Sequence, residues 1–363
     1  MTTNALITGW GMYAPSRVMT NDELSTMVET SDEWIVSRTG IRERRIAADD
    51  ETTATLSVLA SRDALAVAGT DASELDLVIL GTCSPDYYMP ATAVLVAHQL
   101  GATRAAGFDV MAACSGFIFS LATATAYVRS GMYRNVLVIG VELLSRFLDY
   151  TDRNTCVLFG DGAGAVIVSA SDEAGGLLGL DMYSDGSGAQ GIIFPAGGSA
   201  CPTTPQTVAE GGHFVHMAGK EVYRYAVRQL AESSQSALRH AGLAVEEVDQ
   251  FLFHQANLRI IESVQNAVNI PAEKTYLNIE RYGNTSAASV PMALVEALAE
   301  DRIKPGDKLL MAAFGAGYTA GAAVVEWTAD PSRRSLAPGA QTRLGPFQPE
   351  PVGADVAAAV AHP

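Results

Sequence analysis

The sequence predicts an α/β protein built from two similar halves, with strands buried on both faces. The strand-like segments are continuous apolar runs, such as residues 77–80, 136–139 and 309–312, which is typical of sheets covered by helices on both sides. A helix–strand pattern occurs twice in the same order. The chain has 363 residues, of which 48% are hydrophobic and 18% charged, enough for one large domain or two ordinary ones.

The first repeated pattern is a helix, an Ala-Gly turn and a strand. Residues 68–69 are followed by Glu-Leu-Asp at 74–76 and the run 77–80; residues 241–242 are followed at the same spacing by Glu-Val-Asp at 247–249 and the run 250–253. Downstream of each, an apolar helix leads into a strand, at 116–139 and again at 287–312. Two pairs in the same order indicate an internal duplication.

This duplication divides the chain into three predicted segments. They are an N-terminal half over residues 1–172, a C-terminal half over 173–329, and a tail over 330–363 that is rich in Pro and Ala and has no periodicity. We expect the tail to be disordered. Functional groups of a two-lobed α/β protein should gather where the lobes meet, at strand ends and helix starts.

The net charge of −16 argues against a nucleic-acid partner. No window approaches ~18 apolar residues, so we expect no membrane span. The N-terminus lacks a basic region, and its apolar run at residues 5–7 is too short for a signal peptide. The four cysteines show neither CxxC pairing nor metal-ligand spacing, which predicts reduced thiols, no metal site and a cytoplasmic location.

Cys114 lies between an apolar run at residues 107–112, predicted to be a buried strand, and a predicted buried helix that starts at Gly116. A lone cysteine in an apolar run is more often an inert core residue. At a strand-to-helix junction, however, unpaired N–H groups and the helix dipole stabilise an anion. The position therefore predicts a thiol pKa lowered from ~8.5 into the range ~3.5–7.5.

Two further polar residues lie at similar junctions. His254 follows the run 251–253, and Asn284 lies just before the apolar helix 287–298, for which Ser286 is the predicted N-cap. Alone, His254 would be a structural histidine and Asn284 a turn residue. Together with Cys114 they suit acyl transfer followed by decarboxylative carbon–carbon bond formation. The thiolate takes the acyl group as a thioester, and neutral His and Asn donate hydrogen bonds to the enolate.

With these residues in place, the chain resembles β-ketoacyl-[acyl-carrier-protein] synthase III, the initiating condensing enzyme of bacterial fatty-acid synthesis, from Thr8 to Trp327. Each motif alone is moderate evidence, but their order and spacing are specific. The motifs are TSDEWIVSRTGIR at 30–42, AACSGF at 112–117, GDGAGA at 160–165, HQAN at 254–257, GNTSA at 283–287 and FGAGYT at 314–319.

The resemblance implies a thiolase-like fold, duplicated, with five layers in the order α-β-α-β-α and buried mixed sheets. It implies that an acyl-CoA primer acylates Cys114 and condenses with malonyl-[acyl-carrier protein], giving a 3-oxoacyl product and CO₂ without a cofactor. It also implies a homodimer. In condensing enzymes that elongate chains, the catalytic residues resemble a Cys-His-His set, and in thiolases a Cys-His-Cys set. Asn284 as the third residue therefore indicates the initiating type or the plant-like polyketide synthases. The motif that contains Trp34 and Arg38 favours the initiating type.

Binding roles follow from the same resemblance. The backbone N–H groups of Cys114 and Ala316 would form the oxyanion hole, and Met89 would contribute to the acyl pocket across a dimer interface. Arg224 and Arg259 would dock the acidic carrier protein. The residues that would bind coenzyme A are Thr30, Trp34, Arg38, Arg153 and Asn257, with Trp34 and Arg153 on either side of the adenine. Residues 162–164 lack the third glycine of a dinucleotide fingerprint and are interpreted as a close-packing turn.

Two alternatives stay open. Asn266 and Ala267 stand where well-known members have basic residues, and the acidic charge disfavours docking of an acidic carrier. The chain could therefore be an acyltransferase or a starter-unit condensing enzyme of a polyketide-type pathway. A non-catalytic scaffold is the third reading, which the complete set of Cys114, His254 and Asn284 argues against. Acetyl, branched short and longer primers remain open.

Overall fold

The computed structural model describes residues 3–330 and 332, so all but two residues of the predicted tail lie outside the described part. The strands are β1 (Asn4–Tyr13), β2 (Arg17–Thr20), β3 (Glu43–Ile46), β4 (Leu77–Gly81), β5 (Ala106–Val110), β6 (Asn135–Glu142), β7 (Gly162–Ser171), β8 (Gly176–Ser184), β9 (Ile192–Ile193), β10 (His216–Met217), β11 (Gln250–Phe253), β12 (Lys308–Gly315) and β13 (Thr319–Glu326). The α-helices are α1 (Asn21–Leu24), α2 (Asp32–Thr39), α3 (Thr53–Ala68), α4 (Thr92–Leu100), α5 (Gly116–Arg129), α6 (Pro205–Ala209), α7 (Gly219–Ala241), α8 (Leu258–Val268), α9 (Ile279–Tyr282) and α10 (Ser289–Ala299).

Two large sheets form the framework. The first has the order β1-β7-β6-β4-β5 and the second the order β8-β13-β12-β11. In the first sheet β4 runs parallel to β6 and in the second β11 runs parallel to β12, and in each the next strand along the chain, β7 or β13, returns antiparallel. The sheets are therefore mixed. Strands β1-β7-β6-β4 of the first sheet and strands β8-β13-β12-β11 of the second have the same order along the chain and the same relative directions.

Five layers result from the packing of helices on these sheets. Helices α3 and α4 cover the outer face of the first sheet, and α7 and α8 cover the outer face of the second. Helices α5 and α10 lie between the sheets, where Phe117, Leu121 and Leu294 belong to one continuous core. The order α-β-α-β-α is the predicted one. No described helix is long and apolar enough to cross a bilayer.

The duplication extends to individual hydrogen bonds. Helices α3 and α7 each end at a glycine in the left-handed conformation, Gly69 with φ 65° and Gly242 with φ 70°. The carboxylate of Asp76 then accepts a hydrogen bond from the first backbone N–H of β6 at 3.0 Å, and that of Asp249 accepts one from the first N–H of β12 at 2.8 Å. The predicted repeat is confirmed, while the boundary between residues 172 and 173 stays a prediction.

The prediction of a buried strand before Cys114 is wrong. Strand β5 has β4 as its one neighbour and no strand on its other edge among the described residues. Its residues are half-buried or exposed. A short apolar run does not distinguish an edge strand from a central one, because sheet order is set by the fold of distant segments.

Glycines allow the central helices to start very close to the first sheet. A Cβ atom on Gly81 would lie 2.5 Å from the backbone carbon of Gly116, and a Cβ on Gly140 would lie 2.2 Å from the carbonyl oxygen of Ala287. Both contacts are backbone against backbone, so neither side can yield by a change of rotamer. They fix the height at which the turns before α5 and α10 stand above the sheet.

We predict that Gly140→Ala lowers the free energy of unfolding by about 1–3 kcal/mol, because the methyl group must push the segment at Ala287 away from β6. Urea unfolding would measure the change. Gly186→Ala is the matched control: Gly186 is exposed with open space around its Cβ position, so a change within about 0.5 kcal/mol is expected. Equal stability of the two variants would contradict the close-contact argument.

Candidate active site

A cavity of about 790 Å³ is lined by Cys114, His254 and Asn284. Cys114 lies in a 3-10 turn at 113–115 between β5 and α5, and His254 directly follows β11. Asn284 lies between α9 and a second 3-10 turn at 286–288, which precedes α10. The structure thus brings together the three residues that the sequence singled out, one from the first half and two from the second.

Cys114 is half-buried in the cavity wall, and its sulfur lies 3.3 Å from the hydroxyl oxygen of Ser286. Burial raises the pKa of Cys114 to about 12; the hydrogen bond with Ser286 opposes this rise, and the charge of Glu142 adds to it. The predicted lowering of the pKa is therefore wrong. The sequence pattern showed the helix start but not the depth of burial or the buried carboxyl group nearby.

His254 is held by its backbone, whose N–H donates to the carbonyl of Ala312 at 2.8 Å. The side chain is buried, and its Nδ1 has no hydrogen-bond partner among the described residues. Burial lowers the pKa of His254 to about 3. The imidazole is therefore neutral at pH ~7, the state that the sequence interpretation required of a hydrogen-bond donor.

Asn284 is fixed at three atoms. Its backbone N–H donates to the carbonyl of Leu158 at 2.8 Å, and its carbonyl accepts from the N–H of Gly160 at 3.0 Å. Its side-chain Oδ1 accepts from the backbone N–H of Ser286 at 2.8 Å. Since the amide oxygen is occupied in this way, the NH₂ group is the part of the side chain that remains to donate.

Ser286 does not cap α10, contrary to the sequence prediction. The helix begins at Ser289 and has no side-chain cap hydrogen bond. The Ser286 hydroxyl instead lies 3.1 Å from Oε1 of Glu142, in addition to its contact with the Cys114 thiol. The sequence analysis did not select Glu142, although one signal was present: it is the only charged residue of the apolar strand β6.

The segment after β12 closes against the nucleophile. A Cβ atom on Gly315 would lie 2.6 Å from the backbone nitrogen of Cys114, so the glycine allows this strand end to touch the turn at 113–115. Ala316, the next residue, lines the cavity beside Cys114. The predicted pair of oxyanion donors thus lies at one place in the cavity.

Four of the five residues predicted to bind coenzyme A line the cavity: Trp34, Arg38, Arg153 and Asn257. Thr30 does not, and its buried hydroxyl has no partner among the described residues. The Arg153 guanidinium lies 4.9 Å from the ring centroid of Trp34, and that of Arg38 lies 5.9 Å from it. An adenine between Trp34 and Arg153 would have to displace this guanidinium.

The predicted docking residues lie outside the cavity. Arg224 and Arg259 are exposed on α7 and α8, two helices that pack together. Lys220, on the first turn of α7, lines the cavity and was missed by the sequence analysis. Met89 is 86% exposed and does not line the cavity of its own chain.

The cavity also has an apolar wall that the sequence did not reveal. Leu144, Phe159 and Val215 form one buried cluster, against which Cys83 and Ile192 pack, and all five line the cavity. They come from five separate segments of the chain. No motif joins them, so only the fold could show that they surround one space.

Two family models match the chain. The model described as "3-Oxoacyl-[acyl-carrier-protein (ACP)] synthase III" matches residues 108–186. The model described as "3-Oxoacyl-[acyl-carrier-protein (ACP)] synthase III C terminal" matches residues 238–327. The first match contains Cys114, and the second contains His254 and Asn284.

Whole-chain relatives carry the comparison further. The chain is 52% identical to a β-ketoacyl-[acyl-carrier-protein] synthase III of Roseiflexus castenholzii over 325 residues, 90% of this chain and 98% of that protein. It is 48% identical to one of Desulfitobacterium hafniense over 322 residues, 89% and 97% of the two chains.

Solved structures agree with these relatives. The 3-oxoacyl-[acyl-carrier-protein] synthase III of Aquifex aeolicus VF5 is 44% identical, with a TM-score of 0.82 over 90% of this chain and 100% of that chain. The priming β-ketosynthase of the R1128 polyketide biosynthetic pathway is 38% identical, with a TM-score of 0.85 over 91% and 98%. These likenesses confirm the predicted fold class. The chain belongs to the β-ketoacyl-[acyl-carrier-protein] synthase III family of condensing enzymes.

Proposed function

We propose that the protein condenses an acyl-CoA primer with malonyl-[acyl-carrier protein] by way of an acyl-Cys114 thioester. The products are a 3-oxoacyl-[acyl-carrier protein], CO₂ and free coenzyme A. The observation that carries the proposal is the placement of a thiol, a neutral imidazole and an oriented amide in the lining of one cavity. The two substrates suffice for this chemistry, so no cofactor enters the proposal.

In the first half-reaction the sulfur of Cys114 attacks the acyl carbon of the primer, and the bond from that carbon to the sulfur of coenzyme A breaks. The thiol proton is lost, and the departing thiolate of coenzyme A takes up one proton. The backbone N–H groups of Cys114 and Ala316 are the proposed donors to the developing oxyanion. The contact of Gly315 with the Cys114 backbone supports this pairing.

In the second half-reaction the thioester carbonyl of the malonyl group accepts hydrogen bonds from His254 and Asn284. Loss of CO₂ then gives an enolate whose charge these donors stabilise. The enolate carbon attacks the acyl carbon on Cys114, a carbon–carbon bond forms, and the Cys114 thiolate leaves and is reprotonated. Burial disfavours the charged imidazolium, so His254 stays neutral. A neutral imidazole suits this role because it can still donate a hydrogen bond.

The binding assignments remain part of the proposal. Trp34, Arg38, Arg153 and Asn257 would hold coenzyme A at the cavity, and their position in its lining supports this. Thr30 would contact the nucleotide only from outside the lining. Arg224 and Arg259 would dock the carrier protein, with Lys220 as a further cation at the mouth.

We also propose a homodimer. Tyr88 and Met89 are 82% and 86% exposed, Met111 is 67% exposed, and the outer edge of β5 lacks a neighbouring strand among the described residues. Large apolar side chains beside a bare strand edge are typical of a surface that a partner covers. Met89 would then contribute to the partner's acyl pocket. The four free thiols support a cytoplasmic location.

A starter-unit condensing enzyme of a polyketide-type pathway is the second candidate. The likeness to the priming β-ketosynthase of the R1128 pathway favours it, and the apolar wall around Leu144 and Phe159 suits primers longer than acetyl. The identity of the primer and of the carrier-bound product distinguishes the two candidates.

We predict that Cys114→Ala abolishes acylation, because the nucleophile is gone. Intact-protein mass after incubation with a panel of acyl-CoAs would measure it, and malonyl-carrier protein added next should convert the wild-type adduct into a 3-oxoacyl product. Cys201→Ala, which removes a thiol outside the cavity lining, is the matched control and should keep the adduct. A full adduct on Cys114→Ala, or a wild-type adduct that malonyl-carrier protein leaves in place, would refute the proposal.

We predict that His254→Ala and Asn284→Ala keep acylation but lose malonyl decarboxylation by about 10²–10³-fold each, the usual cost of one lost donor. Release of labelled CO₂ from malonyl-carrier protein would be measured on preformed acyl-enzyme. His98→Ala, which removes an exposed histidine on α4 outside the cavity lining, is the control and should retain the wild-type rate. Unchanged decarboxylation in both cavity variants would exclude the enolate assignment.

The condensation step should show no histidine titration between about pH 8 and about pH 5. The pKa of His254 is lowered to about 3, so protonation would begin only far below that range. An ordinary histidine would instead titrate at a pKa of ~6.5. Decay of the preformed acyl-Cys114 adduct with malonyl-carrier protein, followed across these pH values, would test it. A step in rate centred near pH ~6.5 would show that His254 is accessible to protons.

A further inference from the structure

A chain of hydrogen bonds joins a buried carboxyl group to the nucleophilic thiol. Oε1 of Glu142 lies 3.1 Å from Oγ of Ser286, and that oxygen lies 3.3 Å from Sγ of Cys114. Glu142 is fully buried at the end of β6, and Ser286 is 1% exposed. The condensation chemistry proposed above uses neither residue.

The carboxyl group of Glu142 is surrounded by neutral hydrogen-bond donors. The backbone N–H and the thiol of Cys83 approach Oε1 at 3.1 Å and 3.2 Å, while the hydroxyl groups of Ser84 and Thr82 approach Oε2 at 2.5 Å and 3.2 Å. Among the described residues it forms no ion pair with a Lys, Arg or His. The titratable groups that face the Glu142 carboxyl group are the thiols of Cys83 and Cys114. Both thiols line the active-site cavity, and His254 lines it as well.

Proton counting decides the direction of the chain. The Ser286 hydroxyl has one proton, and the carboxylate of Glu142 is the stronger acceptor of its two neighbours. When the Ser286 hydroxyl donates its proton to Glu142, the lone pairs of Oγ face Cys114. The Cys114 thiol is then the donor in the contact between Cys114 and Ser286. The arrangement S–H···O–H···carboxylate is a continuous path for one proton.

Charge counting supports the same path. A thiol proton released to solvent would leave a thiolate beside the Glu142 carboxylate, two buried anions without a cation, and like charges disfavour this. A proton that moves along the chain to Glu142 keeps the buried negative charge at one. Burial raises the pKa of Glu142, which brings it closer to that of the thiol, although the donors around it oppose the rise.

His254 is a poor alternative acceptor for the thiol proton. No hydrogen bond joins its ring to Cys114 within residues 3–330. Burial also disfavours the imidazolium that proton transfer would create.

We propose that Ser286 and Glu142 form a proton relay that takes the Cys114 proton during acylation. The thiol proton passes to Oγ of Ser286 while the Ser286 proton passes to Oε1 of Glu142. The Cys114 sulfur then bonds the acyl carbon, and the carbon–sulfur bond to coenzyme A breaks. The Ser286 proton then passes to the departing thiolate of coenzyme A while the proton on Glu142 returns to Oγ of Ser286, which restores the Glu142 carboxylate and the Ser286 hydroxyl. Ser286 touches the reacting sulfur and is a catalytic residue; Glu142 is a positioning residue that acts through it.

The relay rests on the proposed function for its acylation step, so the test includes a reaction that needs no acyl-CoA. Alkylation of Cys114 by iodoacetamide, followed by peptide mass, and acylation by the primer that loads the wild-type protein are measured from about pH 6 to about pH 10. The variants are Glu142→Gln and Ser286→Ala. Asp161→Asn is the matched control, because Asp161 is a buried carboxyl group bonded to Ser145 and Ala47 rather than to the thiol or Ser286.

Both relay variants should react at least about 10²-fold more slowly than the wild type near neutral pH. Their remaining rates should rise about tenfold per pH unit, because the thiol must then ionise unaided, whereas the wild-type and Asp161→Asn rates should change little with pH. If Glu142→Gln does not fold, Ser286→Ala decides alone, since it removes a single oxygen atom.

Unchanged rates in the relay variants, or slower rates with the wild-type pH dependence, would overturn the relay and leave Glu142 a structural residue. The two proposals fail separately. A wild-type protein that no acyl-CoA loads, with the predicted shift in the alkylation profile, would overturn the proposed function and keep the relay. Normal acylation of the wild-type protein, with the same pH profile of alkylation in all variants, would keep the proposed function and overturn the relay.

Discussion

The structure depends on the backbone contact between the first sheet and the turns that open its two central helices. Gly81 meets the backbone of Gly116, and Gly140 meets that of Ala287, each at a distance that no side chain would permit. Because both turns rest on the same sheet, the residues around 114 and those around 286 stand at the same height and face each other. Every polar contact at the thiol follows from this placement.

Much of this arrangement could be predicted from the sequence because its causes are local. The repeated Ala-Gly and Glu-x-Asp spacing indicated two equivalent helix–strand units, and the structure shows the same glycine turns and Asp hydrogen bonds in both. Cys114, His254 and Asn284 each stand at the end of an apolar run, where a strand ends or a helix begins. In a duplicated α/β fold such positions converge, which is why three separate motifs predicted one cavity.

Other features could not be predicted, because they depend on residues far apart in the chain. Strand β5 resembled a buried strand, but its place at the edge is set by sheet order. Ser286 resembled a helix cap, but a 3-10 turn turns its hydroxyl to Glu142, 144 residues away. The pKa of Cys114 followed burial and this same carboxyl group rather than the helix start. Five segments of the apolar wall meet only in the folded chain.

The single cavity that holds both Trp34 and the three reactive side chains has a consequence for the order of events. In the proposed reaction, a coenzyme A molecule that delivers its acyl group from beside Trp34 would fill the space through which a carrier-bound pantetheine arm must pass to reach Cys114. The two substrates would then exclude each other, and the first product would depart before the second substrate arrives. Ping-pong kinetics would follow, with inhibition of each half-reaction by a high concentration of the other thioester. The shape of the cavity would thus determine the order of substrate binding as well as the binding site.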